Sequence, residues 1–253
     1  MEIDSLHGTK TMTSRLKLLS RSLGLSIACA LALAGTTVCA APALPPTTTQ
    51  NGITTQSGAA SDAFIGLRDY FNMPESERSQ FNVYYTIRIK HADPSLVHVT
   101  LTDGSKTSDV HILADGKISP LPTRDELNRG AFITISGPQE AGIAMKLHVY
   151  STQPPGQDYD AAGLSQGIQQ SNGAMNRFAG VLAMALKKLD RVYFVGANGG
   201  SVETNGQMHP LPKTDGGNDY PLGTPYFVPS EMGGATHIHL TSPATIALFD
   251  TPK

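Results

Sequence analysis

The pattern of apolar and polar residues divides the chain into three stretches. The first contains an uncharged, mostly apolar run at residues 23–34. The second, residues 41–60, is rich in Pro, Thr, Gln, Gly and Ser and carries few apolar side chains. From residue 61 onwards, helical spacing and strand-like alternation of apolar residues follow one another to the end of the chain.

The first apolar run has the flanks of a secretory signal peptide. A basic stretch at residues 15–21 precedes it, and Val38-Cys39-Ala40 supplies small residues for cleavage. The run is shorter than the ~20 residues that a membrane-spanning helix requires. We therefore expect residues 1–40 to be removed on export to the periplasm or the extracellular space, with no stable membrane insertion afterwards. Because acidic residues precede the basic stretch, Met12 is an alternative start.

Removing this signal changes the composition of the chain. Both cysteines, Cys29 and Cys39, lie within it, so the exported protein would carry no disulfide and no thiolate site. It would retain 15 basic and 19 acidic side chains without a basic run, which predicts that nucleic acid is not a partner. The polar residues 41–60 are expected to form a disordered linker.

Two helices are predicted, one near the start of each half of the remaining chain. Apolar side chains at positions 64, 67, 70 and 71 predict a helix over residues 61–71. A longer stripe with helical spacing predicts a second helix over residues 161–188. Four glycines within it lower its helix propensity by ~1 kcal/mol each relative to alanine.

Strands are predicted after each helix. The segments are 96–101, 109–113, 131–135 and 143–150 in the first half, and 191–195, 201–204, 226–228 and 235–240 in the second. The turn dipeptides Asp103-Gly104 and Asn198-Gly199 separate the first two strands of each set. Such dipeptides supply the positive φ angles of tight hairpins, so both pairs of strands are predicted to be hairpins.

An octapeptide occurs twice, ninety residues apart. Residues 115–122 read DGKISPLP, and residues 205–212 read NGQMHPLP. Together with the helix-then-strands order, this repeat predicts an α+β fold of two tandem homologous halves, residues 61–152 and 153–253. Each half would be a helix followed by an antiparallel β-meander with additional strands.

Gly163-Leu164-Ser165-Gln166-Gly167 matches the G-x-S-x-G pattern of a hydrolase nucleophile elbow. An elbow requires a strand that leads directly into the serine through a strained turn. The sequence instead places Ser165 near the start of the predicted helix, after a turn-rich segment at 153–160. A serine hydrolase built on Ser165 is therefore the least favoured of the functions considered.

His237-Ile238-His239 is the second candidate motif. Residues two apart on a strand share a face, so both imidazoles could bind one zinc or copper ion. His209, within the second octapeptide, is a possible third ligand. The corresponding positions of the first half are Ala144, Lys146 and Ser119. A solvated strand face with Ile238 and Leu240 pointing inward explains the same pattern without a metal.

Three classes of function follow from the sequence. The favoured one is an exported, non-catalytic module that binds a ligand or a protein partner of unknown identity. The first alternative is a metal-binding protein or metal-dependent hydrolase that uses His237 and His239. The second alternative is the serine hydrolase. Neighbouring carboxylates such as Asp158 and Asp160 are interpreted as solvated surface.

Overall fold

Antiparallel strands outnumber helices in residues 47–179, 187–216 and 219–252, which the computed structural model describes. The helices are α1 (Ala60–Ala63), α2 (Leu67–Asn72), α3 (Arg124–Asn128) and α4 (Ala161–Ala179). The strands are β1 (Thr47–Gln50), β2 (Ile53–Ala59), β3 (Phe81–Lys90), β4 (His98–Asp103), β5 (Lys106–Ile112), β6 (Ile118–Ser119), β7 (Phe132–Pro138), β8 (Gly142–Ser151), β9 (Gly156–Asp160), β10 (Arg191–Val195), β11 (Gly200–Thr204), β12 (Gln207–Pro210), β13 (Tyr226–Phe227), β14 (Ala235–Ala244) and β15 (Ile246–Asp250). The predicted signal peptide, both cysteines and Met12 lie outside the described residues.

The strands form three sheets with antiparallel pairing. The six-stranded sheet has the order β1-β2-β7-β4-β5-β6, and the five-stranded sheet has the order β13-β10-β15-β8-β3. The four-stranded sheet has the order β12-β11-β14-β9. Antiparallel sheets with a few helices are therefore confirmed as the coarse architecture. No helix in the described part of the chain is long and apolar enough to cross a membrane.

The two predicted halves do not form separate sheets. Strand β15 of the second half pairs with β8 of the first through Leu248 opposite Tyr150 and Phe249 opposite Val149. One core cluster contains buried residues from both halves, among them Tyr85 and Phe194. The halves therefore share a sheet and a core.

The hairpin predicted at Asn198-Gly199 is wrong. The backbone N–H of Asn198 donates to Ser242 Oγ at 3.0 Å, and the N–H of Thr241 donates to the Gly199 carbonyl at 2.9 Å. The chain thereby crosses from β10 in the five-stranded sheet to β11 in the four-stranded sheet. In the first half, by contrast, β4 and β5 pair as predicted, with Gly104 at φ 61°. A turn dipeptide favours a turn but does not determine which strand the following strand pairs with.

The predicted disordered linker is wrong for residues 47–60. Asn51 and Gly52, with φ of 52° and 73°, form the turn of a hairpin that joins β1 to β2. These two positive φ angles are typical of a type I′ turn. All seven residues of β2 then pair with β7. The low hydrophobicity of this segment reflects an exposed edge hairpin, which backbone pairing and β-branched threonines stabilise.

The first predicted helix is interrupted. The second, predicted over residues 161–188, is confirmed over residues 161–179, but residues 187–188 are not helical. Gly66, in the left-handed region at φ 81°, separates α1 from α2. Strand β9 leads directly into α4, which begins at Ala161 as predicted and is described up to Ala179. Residues 180–186, the next part of the predicted helix, lie outside the described residues.

Helix α4 packs against β3, β8, β9 and β14. Its apolar side chains Leu164 and Ile168 are buried in the main core. Gly167 marks the closest approach, because a Cβ atom there would lie 2.6 Å from Phe249 Cζ and 2.8 Å from the Gln80 carbonyl oxygen. The absence of a side chain at residue 167 therefore sets how closely the helix lies on the five-stranded sheet.

A second cluster of apolar side chains lies on the other face of the five-stranded sheet. Tyr193, Tyr220 and Leu248 are its buried members, and Tyr84, Tyr150 and Tyr226 pack around them. The rings of Tyr193 and Tyr220 stack with centroids 3.9 Å apart, and the Tyr220 hydroxyl donates to Asp250 Oδ2 at 2.8 Å. Burial of the Tyr84 hydroxyl raises its pKa to about 12. These tyrosines therefore stabilise the fold by packing on one another.

We expect Gly167→Ala to destabilise the protein, because the new methyl group would overlap the Phe249 ring and a backbone carbonyl. Overpacking of this kind costs ~1–3 kcal/mol of unfolding free energy. Gly173→Ala in the same helix is the matched control, since a Cβ there meets nothing within 4 Å. The control should gain up to ~1 kcal/mol from the better helix propensity of alanine. Urea unfolding measures both, and equal stability of the two variants would contradict the packing argument.

We also expect Thr55→Pro to lower the unfolding midpoint, because Thr55 lies in the middle of β2 between β1 and β7. Proline removes a ladder hydrogen bond and is tolerated in sheets mainly at edges or at the first residue of a strand. Thr47→Pro, at the first residue of edge strand β1, is the control and should change the midpoint much less. Thermal unfolding followed by circular dichroism compares the two. A disordered segment at residues 47–60 would leave both variants like the wild type.

Candidate metal centre

Strands β9 and β14 of the four-stranded sheet present alternate side chains to the core and to solvent. Tyr159 and Ile238 face the core and are buried, and Val202 of β11 lies beside them. Because neighbours along a strand point to opposite faces, Asp158, His237 and His239 lie on the outer face. Both histidines therefore share one face, as the His-x-His spacing predicts.

The three outer side chains meet at one carboxylate oxygen. Asp158 is directly opposite His239 in the pairing of β9 with β14. Its Oδ1 atom lies 2.8 Å from His239 Nδ1 and 3.1 Å from His237 Nε2. One ligand atom from each of the three residues lies within 4.8 Å of the other two. The side chains keep exposed fractions of 60%, 44% and 53% for Asp158, His237 and His239, so the group is open to solvent.

Hydrogen bonding holds the Asp158 carboxyl in its charged form. The bond from His239 is the largest cause and the bond from His237 the next, and together they lower the pKa of Asp158 below its usual value of 3.8. A carboxylate only accepts hydrogen bonds, so the ring nitrogen of each histidine that faces Asp158 carries a proton. The two protons point to the same place between the three side chains.

A divalent metal ion fits the place that those protons occupy. Zinc binds histidine nitrogen and carboxylate oxygen at about 2.0–2.2 Å, which puts tetrahedral ligands roughly 3.3 Å apart. The observed separations of 2.8 and 3.1 Å from Asp158 Oδ1 need to open by only a few tenths of an ångström. Each neutral imidazole would move its proton to the other ring nitrogen and offer a lone pair to the metal.

His209 does not join this group. It lies on edge strand β12 opposite Val202, which in turn lies opposite Ile238. Directly paired residues share a face, so His209 belongs to the face that carries Val202 and Ile238, and His237 and His239 belong to the other. The prediction of His209 as a third ligand required its strand to lie alongside that of the histidine pair. Strand β11 lies between β12 and β14, and the alternation along the strands places His209 on the opposite face.

Asp158 is the candidate ligand that the sequence interpretation missed. Its neighbour Asp160 has a different role: Oδ1 accepts from the Ala162 N–H at 3.1 Å and Oδ2 accepts from the Gly163 N–H at 2.8 Å, which caps the start of α4. Two carboxylates that look alike in sequence therefore differ in function. One indication of this strand is present in the sequence: the polar, apolar and polar residues Asp158, Tyr159 and Asp160 alternate as strand residues do. Three alternating residues are few for a strand.

Ser165 lies within α4, in the second turn of the helix. Its hydroxyl donates to the Ala161 carbonyl oxygen at 2.8 Å, four residues earlier in the same helix. The flanking glycines have packing roles, since a Cβ at Gly163 would lie 2.8 Å from Asp160 Oδ2 and Gly167 contacts Phe249. The G-x-S-x-G pattern is thus accounted for by a helix cap and a close helix–sheet contact, without an elbow turn at the serine.

Comparison with known proteins adds no family or relative to this geometry. No family model, curated protein or solved structure matches the chain. The chemistry of Asp158, His237 and His239 must therefore be inferred from their own distances, exposure and charge.

We expect Asp158 to titrate below pH 3.8 in the metal-free protein, and closer to 3.8 in the His237→Ala/His239→Ala variant. The reason is that both imidazoles stabilise the charged carboxylate. Since the pKa is lowered on folding, the associated stabilisation is complete above the unfolded value of 3.8 and is lost as the pH falls through the folded value. Carbon-13 NMR of the carboxyl group measures the midpoint. His98→Ala, on another sheet, is the control, and equal midpoints in all three proteins would contradict the assigned contacts.

Proposed function

We propose that this chain is an exported, non-catalytic binding module whose ligand is a divalent transition-metal ion held by Asp158, His237 and His239. The observation that carries the proposal is the convergence of these three side chains, with their ligand atoms within 4.8 Å of one another. Two imidazoles and a carboxylate suit zinc, and they also suit copper(II), which accepts nitrogen and oxygen ligands.

The strand geometry supports the proposal. His237 and His239 are held on one strand whose inward neighbours Ile238 and Leu240 are fully buried. Asp158 is fixed on the adjacent strand, which the capped helix α4 follows directly. A metal therefore finds its ligands already on one face, and little ordering of the backbone is required when it binds.

Binding is favoured over metal-dependent hydrolysis by the exposure of the group. Catalytic metals act in shaped sites that exclude bulk water around the reacting bond. Asp158 and His239 both remain more than half exposed on an open sheet face. Such a surface can take up an ion, but it provides no wall that would position a substrate.

The remaining parts of the proposal come from the sequence. The signal peptide at residues 1–40 would deliver the protein to the periplasm or the extracellular space, where neither nucleic acid nor a membrane anchor would engage it. The octapeptides at 115–122 and 205–212 support an ancestral duplication, after which residues 153–253 alone acquired the metal ligands.

Calorimetric titration of the purified, untagged protein with Zn²⁺ and with Cu²⁺ tests the proposal. We expect one equivalent of metal to bind. The variants His237→Ala/His239→Ala and Asp158→Asn should each weaken binding strongly. Removal of a residue that only hydrogen-bonds to a metal ligand lowers affinity roughly 10- to 100-fold, and loss of a ligand itself should cost more. His209→Ala and His98→Ala control for metal uptake by exposed imidazoles and should bind like the wild type. Wild-type affinity in the double variant would refute the site.

The pH dependence of the same titration is a second readout. A metal must compete with protons for both imidazoles, so affinity should fall as the pH is lowered from 8 to 5. Binding that does not change between pH 5 and pH 8 would indicate carboxylate ligands elsewhere on the surface.

A further inference from the structure

A second carboxylate lies beside the proposed metal site on the neighbouring strand. In the pairing of β11 with β14, Glu203 is directly opposite His237, and Ser201 is directly opposite His239. On the other side of β14, Asp160 is opposite His237. The Cβ atoms of directly opposed residues are about 4.5–5.5 Å apart, so His237 has an acidic side chain on each side.

The two neighbouring carboxylates differ in their availability. Both oxygens of Asp160 accept backbone hydrogen bonds at the start of α4, so moving this group would uncap the helix. The carboxylate of Glu203 forms no hydrogen bond or ion pair with any residue in 47–179, 187–216 and 219–252. The half-buried Glu203 side chain can therefore rotate without breaking an interaction.

We propose that Glu203 rotates towards His237 and becomes the fourth protein ligand of the ion held by Asp158, His237 and His239. This inference rests on the proposed function and adds to it. Without a metal, the Glu203 carboxylate lies outside the group whose ligand atoms are within 4.8 Å of one another. The ion supplies the attraction that brings it in, because a divalent cation beside one carboxylate still carries a net positive charge.

The resulting set of two neutral imidazoles and two carboxylates balances the charge of a divalent ion. It also fills the four positions of a tetrahedral zinc site. A site with four protein ligands is closed and has a structural or binding role, whereas catalytic zinc keeps one position for water. Glu203 thus makes this centre one that holds a metal and does not activate water.

The fourth ligand also extends the site over three strands. Asp158 lies on β9, the histidines on β14 and Glu203 on β11, which are adjacent in the four-stranded sheet. An ion bound by all four side chains cross-links these strands on their solvent-exposed face. Metal uptake should therefore slow local opening of β11 as well as of β9 and β14.

The first test compares zinc binding by the wild type, Glu203→Gln and Glu140→Gln in untagged protein. Glutamine preserves the size of the side chain, and Glu140 is an exposed carboxylate between β7 and β8 that serves as the control. We expect Glu203→Gln to lose at least roughly tenfold in affinity. X-ray absorption at the zinc edge should show a water in place of one carboxylate in this variant, and Glu140→Gln should match the wild type.

The outcomes separate the two proposals. If the wild type binds zinc and Glu203→Gln binds it equally well with the same coordination, the fourth-ligand inference is overturned while the three-residue site stands. If the wild type does not bind zinc or copper, both fail. Hydrogen exchange of the wild type alone gives an independent readout, in which zinc should protect β11. Protection confined to β9 and β14 would also exclude Glu203 as a ligand.

Discussion

The contact between Gly167 of α4 and the ring of Phe249 is the constraint on which the position of the candidate site depends. With no side chain at residue 167, the helix backbone approaches the ring of Phe249 and the backbone carbonyl of Gln80. The start of the same helix is capped by Asp160, the last residue of β9. The packing of α4 therefore fixes the end of β9, and with it the place of Asp158 beside the two histidines.

Much of the fold follows from local patterns in the sequence. Strands β8, β10 and β14 lie within four residues of their predicted bounds. In β14, burial of one face enforces the alternation of apolar and polar residues. The start of α4 is also predictable, since helical spacing begins after an acidic residue that caps it. Of the site, His237 and His239 were identifiable, because two residues apart on a strand must share a face.

The parts of the fold and site that the sequence did not predict depend on contacts between residues that are distant in sequence. Strand β9 contains one buried apolar residue, Tyr159, so its pairing with β14 defines it as a strand and its composition does not. The same holds for β2, whose residues pair with β7 some eighty positions later. His209 shows the converse: its residue type suggested a ligand, but the strand pairing places it on the other face of the sheet. In each of these cases, the position of the residue or segment depends on which strands pair with one another.

The distance in sequence between Asp158 and the histidines determines where the proposed metal site can form. Asp158 and His237 are 79 residues apart, and only the folded sheet brings them together. A chain that crosses a membrane unfolded would carry His-x-His alone, a poor competitor for metal inside the cell. The site would then form only where the protein folds, so that the metal content of that compartment, and not of the cytoplasm, determines which ion is bound.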